Sequence, residues 1–326
     1  MRTRYAAMTL VLSSLLPLAS SFAADAKMAK AVSDHFELYT TDNDAAAKAA
    51  LTHFESVRGY MLNAFHTKDP FGVPVRLVGF KSAGEYEPYN PKNSDLASKA
   101  FSSVVAERLN IVLSTLKKED YQYGVREYVT AFLNKVAPTM PYWLKTGFAE
   151  LYCTVREENG QIKLGSEPAR DFHRAISDDF DMTLVFSLNG GISHKKGALD
   201  FYAETAANGV PDAQRGADMA NLRASSTVDY PVLLWQLTHM LMFKKEYSSK
   251  FGAFVGAACE GSTSAALQQA YGQSLDGLKQ DLLLYIKMPS HAVVSSNFHL
   301  DKPVTPQVSQ LSAEESRTVL AELKAK

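Results

Sequence analysis

Two consecutive helical stretches in the middle of the chain constrain its fold more than any other feature. From about Glu119 the apolar residues Tyr121, Val125, Tyr128, Val129, Phe132, Leu133 and Val136 recur at helical spacing. Pro138 ends that pattern, and Pro141 suits the first turn of a second helix running to about Val155. The first carries Arg126-Glu-Tyr-Val-Thr130, which places Arg126 and Thr130 one turn apart on the same face. The second carries Trp143-Leu-Lys-Thr-Gly-Phe-Ala-Glu-Leu-Tyr152, with Thr146 sixteen positions after Thr130.

The segments before this pair read as a mixture of strands and helices. His35 to Thr41 alternates like a strand with one buried face, and Asp42 to Asp44 supplies capping residues for an amphipathic helix through Phe65. Val73 to Phe80 is β-branched and reads as a second strand, with Pro74 favouring a sheet edge or the strand's first residues. Ser82 to Tyr89 reads as a short helix and Asn90 to Ser94 as turn chemistry. Phe101 to Ala106 and Leu109 to Ser114 read as a hairpin around Glu107 and Arg108.

After a brief strand or turn at Gln161 to Gly165 the chain becomes mainly helical. Short apolar segments occupy Phe172 to Ile176 and Met182 to Leu188, and residues from about Glu204 to Ser226 form a long loop without a clear period. Helices follow at Tyr230 to Lys245, Ser248 to Cys259, Ser264 to Tyr271 and Leu275 to Ile286. Pro289 to Val308 reads as an extended connector, and Ala313 to Leu323 as a final amphipathic helix.

At the other end, Arg2 and Arg4 precede an apolar stretch to about Leu18, and Ser21-Phe-Ala23 has the small residues of a cleavage site. Residues 1–23 are therefore expected to be a secretory signal peptide, and the protein exported, to a periplasm or beyond. The run is too short and interrupted to make a good membrane span. Residues 1–23 hold two arginines and no acid, so their removal takes the formal charge from −1 to −3. That leaves no basic surplus for nucleic acid. Cys153 and Cys259 are the only cysteines. They could form one disulfide in an oxidising compartment or remain two separate buried thiols, and the sequence leaves both open.

In this order the pieces resemble the peptidase-MA-like domains of exported bacterial proteins, a branch of the gluzincin zinc peptidases, over about residues 33 to 287. The resemblance rests on His35-Phe-Glu-Leu-Tyr-Thr40, Asn110-Ile-Val-Leu-Ser114, Trp143-Leu with Gly147-Phe-Ala-Glu-Leu-Tyr152, and Trp235-Gln-Leu-Thr-His239. It implies an α+β fold with an N-terminal mixed sheet, a metal-site helix and a helical C-terminal lobe. The implied boundaries are an α/β lobe over 24–165, a helical lobe over 166–288, and a connector with terminal helix over 289–326. Leu311 to Leu320 resembles the first helix of the tetratricopeptide tail found in such proteins.

The family's zinc ligands are His, His and Glu, and here Arg126, Thr130 and Thr146 stand in those places. A catalytic zinc needs three protein donors at about 2.0 to 2.2 Å and an open position for water. Arginine has no lone pair and repels a divalent ion, and neutral threonine hydroxyls are poor zinc donors. The resemblance also makes Glu127 the former general base, Glu150 a carboxylate that once oriented a ligand, and His239 a candidate oxyanion stabiliser. Without activated water Glu127 has nothing to deprotonate. The expectation is an ion pair of Arg126 with Glu127, Glu150 or both, against a bland reading in which Arg126 packs its stem on Tyr123 and reaches water. For His239 the bland reading is a buried histidine satisfied by a backbone carbonyl.

No other catalytic set replaces the lost one. His35, His53, His66, His173, His194, His291 and His299 show no metal-ligand spacing, and there is no Gly-x-Ser-x-Gly elbow or phosphate loop. The expected function is thus a pseudopeptidase without zinc or other cofactor, retaining a cleft that binds an extended peptide or protein partner along an edge strand at Leu109 to Ser114. Two alternatives remain: a hydrolase using Glu127 and His239 on a rebuilt or metal-free site, and an interaction module acting through its C-terminal helix.

Overall fold

The computed structural model describes residues 27–91, 99–105, 107–168, 180–187 and 230–323. The signal-peptide segment, the Phe172 to Ile176 segment and the loop at 204–226 lie outside the described residues.

The fold is mixed α+β. Its main sheet contains β1 (Ala29–Val32), β2 (Phe36–Thr40), β3 (Val75–Gly79), β4 (Ala100–Val105), β5 (Arg108–Leu113) and β9 (Gln307–Gln310), in the spatial order β4-β5-β3-β2-β1-β9. β2, β3 and β5 run parallel, which requires crossover connections. The first is α1 (Asp44–Ala64), whose start is fixed by Asn43 Oδ1 accepting from the Ala46 amide at 3.0 Å.

Both faces of the sheet are covered, which is why β3 and β5 read as nearly continuous apolar runs. On one face Phe36, Leu38, Leu77, Ile111 and Leu113 meet α1 and α3 (Tyr121–Val136) through Leu51, Phe54, Val125 and Tyr128. On the other, Met28, Val78, Phe80, Phe101 and Val112 meet α2 (Ala83–Tyr86) through Tyr86 and α11 (Ala313–Glu322) through Val319, Leu320 and Leu323.

Several expectations need correction. Of the two places expected for Pro74, the structure has the strand's start: it immediately precedes β3, which is an interior strand and not an edge. The Leu109 to Ser114 segment is interior, between β4 and β3, so it offers no edge, and the outermost strand on that side among the described residues is β4. The short β1 had too little alternation to be noticed. The expected connector carries two strands: β8 (Val294–Ser296), which pairs with β7 (Gln161–Leu164), and β9, which closes the main sheet against β1. The terminal helix is no free docking module, because its apolar face is buried on the sheet and Glu322 pairs with Arg76.

The helical part comprises α4 (Tyr142–Tyr152), α5 (Met182–Ser187), α6 (Tyr230–Phe243), α7 (Lys245–Ser248), α8 (Phe251–Glu260), α9 (Thr263–Tyr271) and α10 (Leu275–Ile286). It shares one continuous core with the sheet layer. α6 is apolar almost all round because α4 and α10 pack against it. The α4–α6 crossing explains Gly147: a Cβ there would lie 1.9 Å from Thr238 Oγ1 and 2.8 Å from the Leu234 carbonyl oxygen. β6 (Arg156–Glu158), β7 and β8 form a separate small sheet. No helix among the described residues is long and apolar enough to cross a membrane.

Candidate functional site

The site is built where α3 and α4 lie side by side under β4. α3 presents Arg126 toward α4 and Glu127 toward β4, because the apolar stripe of Val125, Tyr128, Val129 and Phe132 is committed to the core. α4 brings the buried Glu150 to the same place. Arg126 Nη1 donates to Glu150 Oε1 at 3.5 Å, and Nη2 lies 3.6 Å from Glu127 Oε1. Glu127 Oε2 in turn accepts from Ser102 Oγ on β4 at 2.7 Å. One cation therefore links two carboxylates, and a serine ties them to the edge strand.

Electrostatics fits that description. Burial acts against the charged guanidinium, but Glu150 and then Glu127 outweigh it and hold the Arg126 pKa above its ordinary value. Cys153, at the end of α4, donates its thiol to the Glu150 carbonyl oxygen at 3.1 Å, and burial pushes its pKa well up, so the thiol is inert. Cys153 and Cys259 are both free thiols, which resolves the question the sequence left open.

Arg126, Thr130 and Thr146, where the resemblance expects metal ligands, do not fit a zinc ion. Arg126 brings a fixed positive charge to the spot. Thr130 is exposed and its Oγ1 donates to the Arg126 carbonyl oxygen at 2.9 Å, an ordinary helix back-bond. Thr146 is half-buried on α4, and among the described residues no hydrogen bond joins it to Arg126, Glu127 or Glu150. Among the described residues no cluster of His, Cys, Asp and Glu could hold a metal.

Beside this cluster lies a groove of about 830 Å³ between β4 and the second half of α3. Its walls include Phe71, Val73, Ser102, Val104, Leu109 and Thr130, so Ser102 and Thr130 connect it to the charged cluster. Val73 and Val104 expose more than half of their surface, 52% and 68%. The β4–β5 ladder pairs Val105 with Arg108 across a two-residue connection, so the hydrogen-bonded pairs alternate from there. Ser102 and Val104 consequently turn their backbone N–H and C=O groups to the outer side of β4, where no strand pairs among the described residues. Sequence reasoning missed Ser102, because a serine in a strand gives no signal until its partner across the fold is known.

His239 belongs elsewhere. It is fully buried in α6, its Nε2 shared between the carbonyl oxygens of Gly165 at 3.1 Å and Ala292 at 3.0 Å. Since carbonyls only accept, Nε2 carries the proton, and Nδ1 accepts from Tyr285 Oη at 2.6 Å. Burial, the main cause, lowers its pKa to about 4. Gly165 has φ of +96°, and a Cβ there would fall 2.9 Å from His239 Nε2, so glycine is what lets the backbone approach the ring. The structure thus brings Arg126, Glu127 and Glu150 together but gives His239 no shared hydrogen-bond partner with them, and its one N–H is already committed.

No family model matches this chain, and no curated protein or solved structure matches it either.

Proposed function

We propose that the protein is an exported, gluzincin-like pseudopeptidase that binds an extended peptide in the groove along β4 and does not hydrolyse it. The observation that carries this reading is the juxtaposition of the outer side of β4 at Ser102 and Val104, which no strand pairs among the described residues, a partly apolar groove and an Arg126 paired with Glu127 and Glu150 where the resemblance expects a metal ligand. A strand added to β4 would hydrogen-bond to Ser102 and Val104, while alternate side chains enter the groove. Arg126 would keep Glu127 and Glu150 charge-compensated, the part a divalent ion plays in an active relative. The test is fluorescence-polarisation titration with a panel of labelled, extended peptides, with Val104→Pro as the control. Saturable binding that Val104→Pro abolishes supports the reading, because proline removes an outward N–H. Binding indifferent to that change overturns it.

The hydrogen bond from Ser102 to Glu127 favours a second reading, a metal-free hydrolase in which Glu127 is the base for Ser102. The ion pair with Arg126 argues against it, since Glu127 Oε1 is already engaged by the guanidinium at 3.6 Å. Labelling by a fluorophosphonate that Ser102→Ala eliminates would decide for this second reading.

A further inference from the structure

Next to the groove is a smaller recess of about 140 Å³, and the two share Phe71, Gly72 and Val73 as walls. The recess reaches down to Tyr128 and is lined on its polar side by Asp34, His35, Arg58 and Asp69. At roughly 10–15 Å³ per water centre it has room for several waters, or for one unbranched side chain.

Tyr128 supplies the unusual observation. Its ring is wholly buried against Phe36, Phe71 and Phe132, yet its hydroxyl has no hydrogen-bond partner. Tyr128 lines the same recess as Arg58 and Asp69, and both are among the charges its hydroxyl feels. A buried hydroxyl without a partner costs about 1–3 kcal/mol, so its retention calls for a partner from outside the chain.

The surrounding charges decide what that partner is. Arg58 is spent on Asp69, with Nε and Nη2 each 2.7 Å from Oδ2, and Asp69 Oδ1 accepts from the Phe71 amide. Glu55 accepts from Ser33 Oγ, the His35 amide and His35 Nδ1. Asp34 is exposed and has no ion pair among the described residues. The recess therefore has an uncompensated carboxylate at its mouth, a paired one within, and a hydroxyl free to accept at its base. An ammonium has three donors and no acceptor, which suits that set. An anion would meet Asp34 and Asp69 with Arg58 already neutralised.

We propose that this recess is the side-chain pocket for a lysine of the bound peptide. The aliphatic stem lies along Phe71 and Val73, and the ammonium donates to Asp34, Asp69 and the Tyr128 hydroxyl. This deepens the groove reading and rests on it for the peptide, but the pocket can be tested alone.

Two titrations separate the claims. In the first, labelled, N-acetylated and C-amidated octapeptides of alternating valine and serine carry one lysine moved through every position, with norleucine as the uncharged match. The expected result is one position at which lysine improves Kd about tenfold over norleucine, as a charged hydrogen-bond set gives. That advantage should shrink to less than about threefold in Asp34→Asn and in Tyr128→Phe. Asp34 is exposed, and phenylalanine at 128 removes only an unsatisfied hydroxyl, so both variants are expected to fold. Equal binding of lysine and norleucine peptides overturns the pocket while leaving the groove intact. In the second, Nα-acetyl-lysine methylamide and its norleucine counterpart are titrated calorimetrically. Binding of the lysine compound alone, lost in Asp34→Asn, keeps the pocket even if no octapeptide binds, an outcome that would sink only the groove reading. Failure of both compounds together with all the octapeptides overturns both.

Discussion

His239 permits a prediction whose size follows from the structure. In the unfolded chain a histidine titrates near 6.5, whereas His239 in the fold titrates at about 4, chiefly because it is buried. A depressed histidine pKa means that the unfolded state takes up the proton first as the pH falls. Its contribution is therefore complete above pH 6.5, declines between pH 6.5 and 4, and is gone below 4. At 1.36 kcal/mol per unit the loss across that window is about 3 kcal/mol. Replacement by glutamine removes the titration, and its amide can still donate toward Gly165 and Ala292. The assay is urea unfolding of the wild type and His239→Gln at pH 7, 5.5 and 4.5. The wild type should lose stability relative to the variant by roughly 1.4 kcal/mol for each unit below 6.5. Parallel stability curves for the two proteins would refute the assignment of a neutral, buried His239. They would also reopen its candidacy as a catalytic group.

Other consequences follow from the packing and the charged cluster. Gly147→Ala must push its methyl into Thr238 and the Leu234 carbonyl, so it should cost about 1–3 kcal/mol in urea unfolding, and an unchanged midpoint would contradict the α4–α6 contact. Arg126→Met removes the cation linking Glu127 and Glu150 and should destabilise by about 3–5 kcal/mol, with Glu150→Gln in the same chain restoring much of the loss. Purely additive effects would argue against a coupled pair. Leu320→Ala should lower stability by about 2–4 kcal/mol, because α11 is part of the core; a helix reserved for a partner would show no effect.

Much of this architecture was legible because local pattern and tertiary environment agree. The α1 cap at Asn43, the hairpin closing at Val105 and Arg108, and the long apolar repeats of α3 and α6 all follow from residues close in sequence. What escaped depends on distant pairing. β1 and β9 are four-residue strands, 275 or more positions apart, each defined by the other. Strand order across the sheet was equally hidden, so the interior β5 was taken for an edge when β4 holds that place. The site shows the same division. Helical spacing put Arg126 and Glu127 on adjacent faces of α3, but Ser102 and the Tyr128 recess emerge only once β4 and the Asp69 turn are folded against that helix.

The central claim is that α3 and α4 are the metal-site helices of a gluzincin-like fold whose ligands have been replaced. The direct test is the triple variant Arg126→His, Thr130→His and Thr146→Glu, purified free of chelators, checked by near-ultraviolet circular dichroism and analysed for metal by mass spectrometry. The account predicts one zinc per folded chain in the variant and none in the wild type, since the three new donors would leave one coordination position open. A variant with the wild-type dichroism spectrum that fails to retain zinc would contradict it.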